Sequence, residues 1–145
     1  MDLSQIYTEV ITEHSRAAHN RKQLAEVTHK EHGHNPSCGD DIMLELTIKD
    51  GRIADAAFSG SGCAISQAST SMMIDLIRGL SAAEAKEKAE SFLAMIKGEK
   101  TEEELADVLE DAAILANIKN MPARVKCAVL AWHTLDEILK KESGK

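Results

Sequence analysis

Between Asp41 and Lys49 the chain alternates with a period of two. Ile42, Leu44, Leu46 and Ile48 interleave with Met43, Glu45, Thr47 and Lys49. A strand with one buried face fits that pattern, because successive side chains of a strand point to opposite faces of a sheet. Asp50-Gly51 follows, a turn signal that folds the chain back into a hairpin. Two registers are open. A two-residue loop sets Asp55 opposite Leu46. A three-residue loop with Gly51 left-handed puts Ala54, Ala56 and Phe58 on the leucine face. The second keeps the carboxylate off the core and is the one expected. Upstream, Leu24–Glu31 is ambiguous, with 25–29 a candidate edge strand.

Beyond Cys63 the period becomes helical. Ile65, Ser69, Met72, Met73 and Leu76 form one stripe, stopped by Gly79. Ser81 with Glu84 is a capping-box signature. It opens a helix with Ala85, Ala89, Phe92, Leu93 and Ile96 inward, ended by Gly98. Thr101 with Glu104 is another, leading to Leu105, Val108, Leu109, Ala112 and Leu115. Its acidic run, Glu102 to Glu104, suits a first helical turn. Pro122 suits the first turn of a final helix, with Val125, Ala128, Val129, Trp132, Leu135 and Leu139 inward. At the other end, Leu3, Ile6, Tyr7, Val10, Ile11 and His14 have helical spacing, capped by Asp2 with Gln5. The basic stretch from Arg16 to Lys22 ends that helix. Strands early and helices late predict an α+β fold, a small antiparallel sheet of about three strands with helices packed on one face. The 145 residues show no internal repeat and no Pro/Ser linker, which predicts a single domain over 1–145 with a frayed tail at 140–145.

Composition removes several function classes. Aromatics are 3% of the chain, too few for stacking on single-stranded nucleic acid. The formal charge of −7 repels phosphate backbones and anionic membrane surfaces, so neither nucleic acid nor membrane is expected as a partner. No run approaches ~20 apolar residues. Met1 to Gln5 lacks the basic and apolar regions of a signal peptide, and a cytoplasmic location is expected.

In a reducing compartment the three cysteines favour metal or redox chemistry over disulfides. Each lies near the end of a predicted element. Cys38 is in the turn before the first hairpin strand. Cys63 is in the glycine-rich Ser59-Gly60-Ser61-Gly62-Cys63 turn that opens a helix, where the helix dipole favours negative charge. Cys127 is in the second turn of the last helix. Asp40 follows Cys38 by two residues, so an extended segment puts both on one face. Three thiolates and a carboxylate make a tetrahedral set that zinc accepts. Spacing alone favours a second reading, in which the cysteines are small buried hydrophobes.

The local motifs carry more. Asn35-Pro36-Ser37-Cys38-Gly39-Asp40, then Ser59-Gly60-Ser61-Gly62-Cys63-Ala64-Ile65-Ser66, then Met121-Pro122-Ala123-Arg124-Val125-Lys126-Cys127 resemble the SufU/IscU/NifU N-terminal family of iron–sulfur cluster assembly proteins. The resemblance spans roughly residues 3–140 with the motifs in order. It implies the α+β fold and a site made of Cys38, Asp40, Cys63 and Cys127. The scaffold branch has a histidine just before its third cysteine, where Lys126 stands here, and a shorter segment between the second and third cysteines. The extra material around Ser81 to Thr101 looks like the SufU branch. That branch implies zinc, sulfur accepted from a SufS-like cysteine desulfurase, and delivery to a downstream cluster scaffold. One departure is that Ser15 to Lys22 lacks the proline common there.

The expected function is therefore a zinc-dependent sulfurtransferase relay. Cys38, on a glycine-flanked loop, is the expected catalytic sulfur acceptor. The alternative is a non-catalytic scaffold that assembles a [2Fe–2S] cluster on the same residues, a role thiolates can fill. A third reading is a purely structural zinc staple. Arg124 and Lys126 flank Cys127; they fit either a solvated helix face or a surface that docks a partner and steadies an anionic site. His29, His32 and His34 are expected in a solvated polar loop, His14 at the core edge, His133 exposed, and Trp132, Met72, Met73 and Met95 in the core.

Overall fold

The computed structural model describes residues 3–16, 20–36 and 39–143. The cap expected at Asp2 lies outside them. Helix α1 (Leu3–Arg16) precedes three strands, β1 (His29–Asn35), β2 (Asp40–Lys49) and β3 (Arg52–Ser61). Then come α2 (Ala64–Ile77), α3 (Ala82–Ile96), α4 (Glu102–Leu109), a 3-10 segment (Glu110–Asn120) and α5 (Pro122–Ser143). The strands pair antiparallel in the order β1-β2-β3. Helix α5 lies against β1 and β2, and α2 against β3. The architecture is the expected α+β. Among the described residues no helix is long and apolar enough to cross a membrane.

The alternating residues of β2 behave as their pattern dictates: Ile42, Leu44, Leu46 and Ile48 are buried. They meet the core faces of α2 and α5, where Met73, Ile74, Trp132 and Leu135 are also buried. Shortening any one of these side chains to alanine costs about 2–5 kcal/mol. The hairpin reaches the expected pairing by a different route. Asp50 and Gly51 both take positive φ, 53° and 77°, and Lys49 pairs with Arg52, so the turn has two residues. A bulge then resets the register: Ile48 faces Ile53, Thr47 faces Asp55, and Ala54 has no partner residue. Ala56 and Phe58 land opposite Leu46 and Leu44 as expected. Ala54, expected inward, is exposed, and Ile53 is buried in its place.

Four other expectations are corrected. The first strand starts at His29 rather than ending there. Segment 24–28 is held by side chains of β2 instead: Leu24 N–H donates to Glu45 Oε1 at 3.1 Å, and the Thr47 hydroxyl donates to the Glu26 carbonyl. The three histidines expected in a loop are strand residues. His32 and His34 point to solvent, while Gly33 faces α5, under Leu130 and Thr134. The helix opened by Thr101 breaks at Glu110, where φ is 52°. From there Ala112, Leu115 and Ile118 are buried at a spacing of three, the period of a 3-10 helix. Finally, α5 runs through Ser143, into the stretch expected to fray, and Lys141 Nζ meets Glu31 on β1 at 2.6 Å.

Two links fix α5 in the core, one to α3 and one to α2. The Trp132 ring stacks on Phe92 with centroids 4.1 Å apart. Trp132 Nε1 donates to Ser69 Oγ at 2.9 Å, and that hydroxyl donates to the Ala128 carbonyl at 2.6 Å. Ala128 follows Cys127 in sequence. The pin therefore holds the first half of α2 against the turn of α5 that carries a cysteine.

Candidate metal centre

Asp40 opens β2 and is paired with Asn35 at the end of β1. Its 0% exposure makes it the least expected residue in the molecule, since a buried carboxylate is costly unless hydrogen-bonded or paired. One partner is backbone: Cys63 N–H donates to Asp40 Oδ1 at 2.9 Å. Cys63 is held there because it caps α2, with extended φ and ψ of −71° and 168°. Its Sγ accepts from Ser66 N–H at 3.5 Å, a thiol in the position serine or aspartate commonly fills. Cys127 comes in from α5, whose first residue, Pro122, is preset for a helix start. It is buried at 1% exposure.

The donor atoms of Asp40, Cys63 and Cys127 all lie within 4.8 Å of one another. Three residues far apart in sequence thus converge on one rim. Cys38, expected as the fourth ligand and sulfur acceptor, lies outside the described residues. Arg124 is exposed and lines a pocket of about 280 Å³ with Cys63, Ala64, Ile65 and Met121. Lys126 is exposed on α5. His14, His32, His34 and His133 take ordinary roles. His14 Nε2 pairs with Asp111 Oδ2 at 3.0 Å and its Nδ1 faces Ser71 Oγ at 3.5 Å, at the core edge as expected. His32 Nε2 pairs with Asp41 Oδ1 at 2.7 Å and its ring stacks on His34. His133 is exposed, and Trp132, Met72, Met73 and Met95 are buried, as expected.

The donor set fits a dication. Three anions this close repel by roughly 3 kcal/mol per pair at an effective dielectric of about 20, which a shared cation offsets. Tetrahedral zinc ligands stand about 3.5–3.8 Å apart, so small side-chain rotations close the cluster. Thiolate and carboxylate together also suit iron and sulfide. One neighbour that sequence reasoning missed is Ser66, whose hydroxyl is buried and lacks a partner among the described residues. A serine in the first turn of a helix gives no outward sign of this.

Residues 6–141 match the family described as NifU-like N terminal domain. The chain is 42% identical to the iron–sulfur cluster assembly scaffold protein IscU of Thermotoga maritima, over 99% of each chain. It is 34% identical to the zinc-dependent sulfurtransferase SufU of Bacillus subtilis, over 99% of this chain and 95% of that one. Among solved structures, it superposes with a TM-score of 0.86 on a candidate iron–sulfur cluster assembly scaffold protein for the SUF system from Fervidobacterium islandicum AW-1. That likeness is 36% in sequence and covers 93% of this chain and 97% of the other.

Proposed function

Because the chain belongs to the NifU-like N-terminal domain family, we propose that it is an iron–sulfur cluster assembly scaffold, with Cys38, Asp40, Cys63 and Cys127 as the residues that hold the growing cluster. The observation that carries this is the convergence of Asp40, Cys63 and Cys127 within 4.8 Å. The Thermotoga maritima relative, similar over nearly its whole length, supports the scaffold role ahead of the relay that the sequence motifs put first. A cluster is cargo here, built and then given up. Thiolates bind iron firmly, whereas a carboxylate is a harder ligand, which suits a site that must release what it holds. The sulfur comes from a cysteine desulfurase, and the cluster goes on to a downstream acceptor. Arg124, beside Cys63, and Lys126, beside Cys127 in sequence, are exposed cations that dock a partner or steady the anionic site. Free thiols suit a reducing cytoplasm.

A second reading is zinc-dependent sulfur transfer. It is favoured by Lys126, which stands where the scaffold branch carries a histidine, and by the Bacillus subtilis relative. In it, the Cys38 thiolate attacks the outer sulfur of the desulfurase persulfide. The S–S bond breaks, its electron pair leaves on the desulfurase cysteine, and the transferred sulfur stays on Cys38 as a persulfide. Zinc held by these residues keeps the thiolates deprotonated.

Anaerobic reconstitution with iron, cysteine and a desulfurase separates the two. The scaffold yields coloured protein with equal iron and acid-labile sulfide. Colourless protein that keeps zinc and raises desulfurase turnover overturns the scaffold and supports the relay. In the relay, Cys38→Ala abolishes that stimulation while the fold survives; a fully stimulating variant rules Cys38 out as acceptor.

A further inference from the structure

Ser66 is the third residue of α2 and is 1% exposed. Its backbone is fully used. The N–H donates to Cys63 Sγ at 3.5 Å, and the carbonyl accepts from Thr70 Oγ1 at 2.7 Å. Its hydroxyl is not used: Ser66 Oγ has no hydrogen-bond partner among the described residues. Burial strips water from such a group with no return, so native structures rarely keep one without a reason.

A carboxylate lies nearby. Asp40 Oδ1 accepts the Cys63 N–H at 2.9 Å, and it borders the same Gly62 Cβ position as the Ser66 hydroxyl. A Cβ on Gly62 would lie 2.8 Å from Asp40 Oδ1 and 3.3 Å from Ser66 Oγ. Glycine at 62 therefore keeps a gap open between the two oxygens, which any side chain would fill.

Resting on the reading that Asp40, Cys63 and Cys127 bind metal, we infer that Ser66 is a positioning residue for Asp40. Its O–H donates to Asp40 Oδ1 beside the Cys63 N–H when Oδ2 turns to a metal ion. A carboxylate oxygen has two lone pairs, so it accepts both donors. Partners of this kind fix the orientation of a ligand, and losing one typically weakens metal binding 10–100-fold.

The test is Ser66→Ala in the full chain, with two readouts: thermal unfolding of the metal-free protein, and zinc affinity by chelator competition. The expected result has opposite signs. The metal-free midpoint rises by about 3 °C, because a buried unpaired hydroxyl is gone. Zinc affinity falls about tenfold or more. A lower midpoint overturns the inference, since the hydroxyl would then have a structural partner. Unchanged zinc affinity, or an unchanged midpoint, also overturns it. If the unsubstituted protein binds no zinc, the metal-site reading itself fails, an outcome distinct from equal binding by both proteins.

Discussion

At its C-terminal end, α2 is tied into the molecule by groups of matched sign. Arg78 donates to Asn20 Oδ1 at 2.6 Å, to Asp55 Oδ1 at 3.1 Å and to the Ala56 carbonyl at 3.1 Å. Buried Asn20 donates in turn to Ser71 and to Asp75. At its N-terminal end the same helix brings Cys63 up to Asp40 and Cys127, donors of one charge type, with the unpaired Ser66 hydroxyl beside them. The first arrangement is complete as it stands and holds helix, sheet and the segment after α1 together. The second is a donor set that fits a cation. Matched polar groups stabilise a fold, and convergent like-charged ones specify a guest.

If this contrast is right, the two ends respond oppositely to substitution. The largest effect is expected at the rim. Cys63→Ser weakens zinc binding about a hundredfold to a thousandfold, as expected if the four proposed ligands share a binding free energy on the order of 10–16 kcal/mol. The metal-free protein keeps its melting midpoint, since serine is itself a good helix cap. Chelator competition and thermal melting check the two halves. Next is Asn20→Ala, which removes the buried amide that joins Ser71, Asp75 and Arg78. It destabilises the fold by roughly 2–3 kcal/mol in urea unfolding, with zinc affinity of the folded protein unchanged. An equal loss of zinc affinity would erase the distinction between the ends.

Ser69→Ala sharpens the comparison, because Ser69 joins α2 to α5 between the two ends. It strands the Trp132 indole N–H and removes the bond to the Ala128 carbonyl, costing about 1–3 kcal/mol. It also loosens Cys63 relative to Cys127, so stability and zinc affinity fall together. The smallest effect concerns pH. Burial pushes the Asp55 carboxyl up, but the Ala56 N–H and the Arg78 guanidinium outweigh it and hold the group below its ordinary range. Its contribution to stability is therefore present above about pH 4, the unfolded carboxyl value, and is lost as pH falls through the lower folded value. Asp55→Asn removes that part of the acid limb in a pH series of unfolding midpoints. An unchanged acid limb would contradict the assignment.

How far the sequence disclosed this depends on whether a residue's role repeats along the chain. The leucine alternation of β2 and the boxes at Ser81 and Thr101 are local and periodic, and all appear as expected. Strand β1 has no apolar period to detect: its inward positions include Gly33 and Asn35, shaped by α5 from the far end of the chain. The break at Glu110 hides in a sequence that also reads as continuous helix. Motif likeness brought Asp40, Cys63 and Cys127 onto one list before their convergence was visible. Ser66 escaped it, because its hydroxyl is seen to be buried and without a partner only once the chain is folded.

The most direct measurement is zinc-edge X-ray absorption on the zinc-loaded protein. One ion shared by these residues predicts a mixed shell, with sulfur at about 2.3 Å and oxygen at about 2.0–2.2 Å, and one fewer sulfur in Cys63→Ser. A shell of nitrogen and oxygen alone, or one indifferent to that substitution, would contradict it.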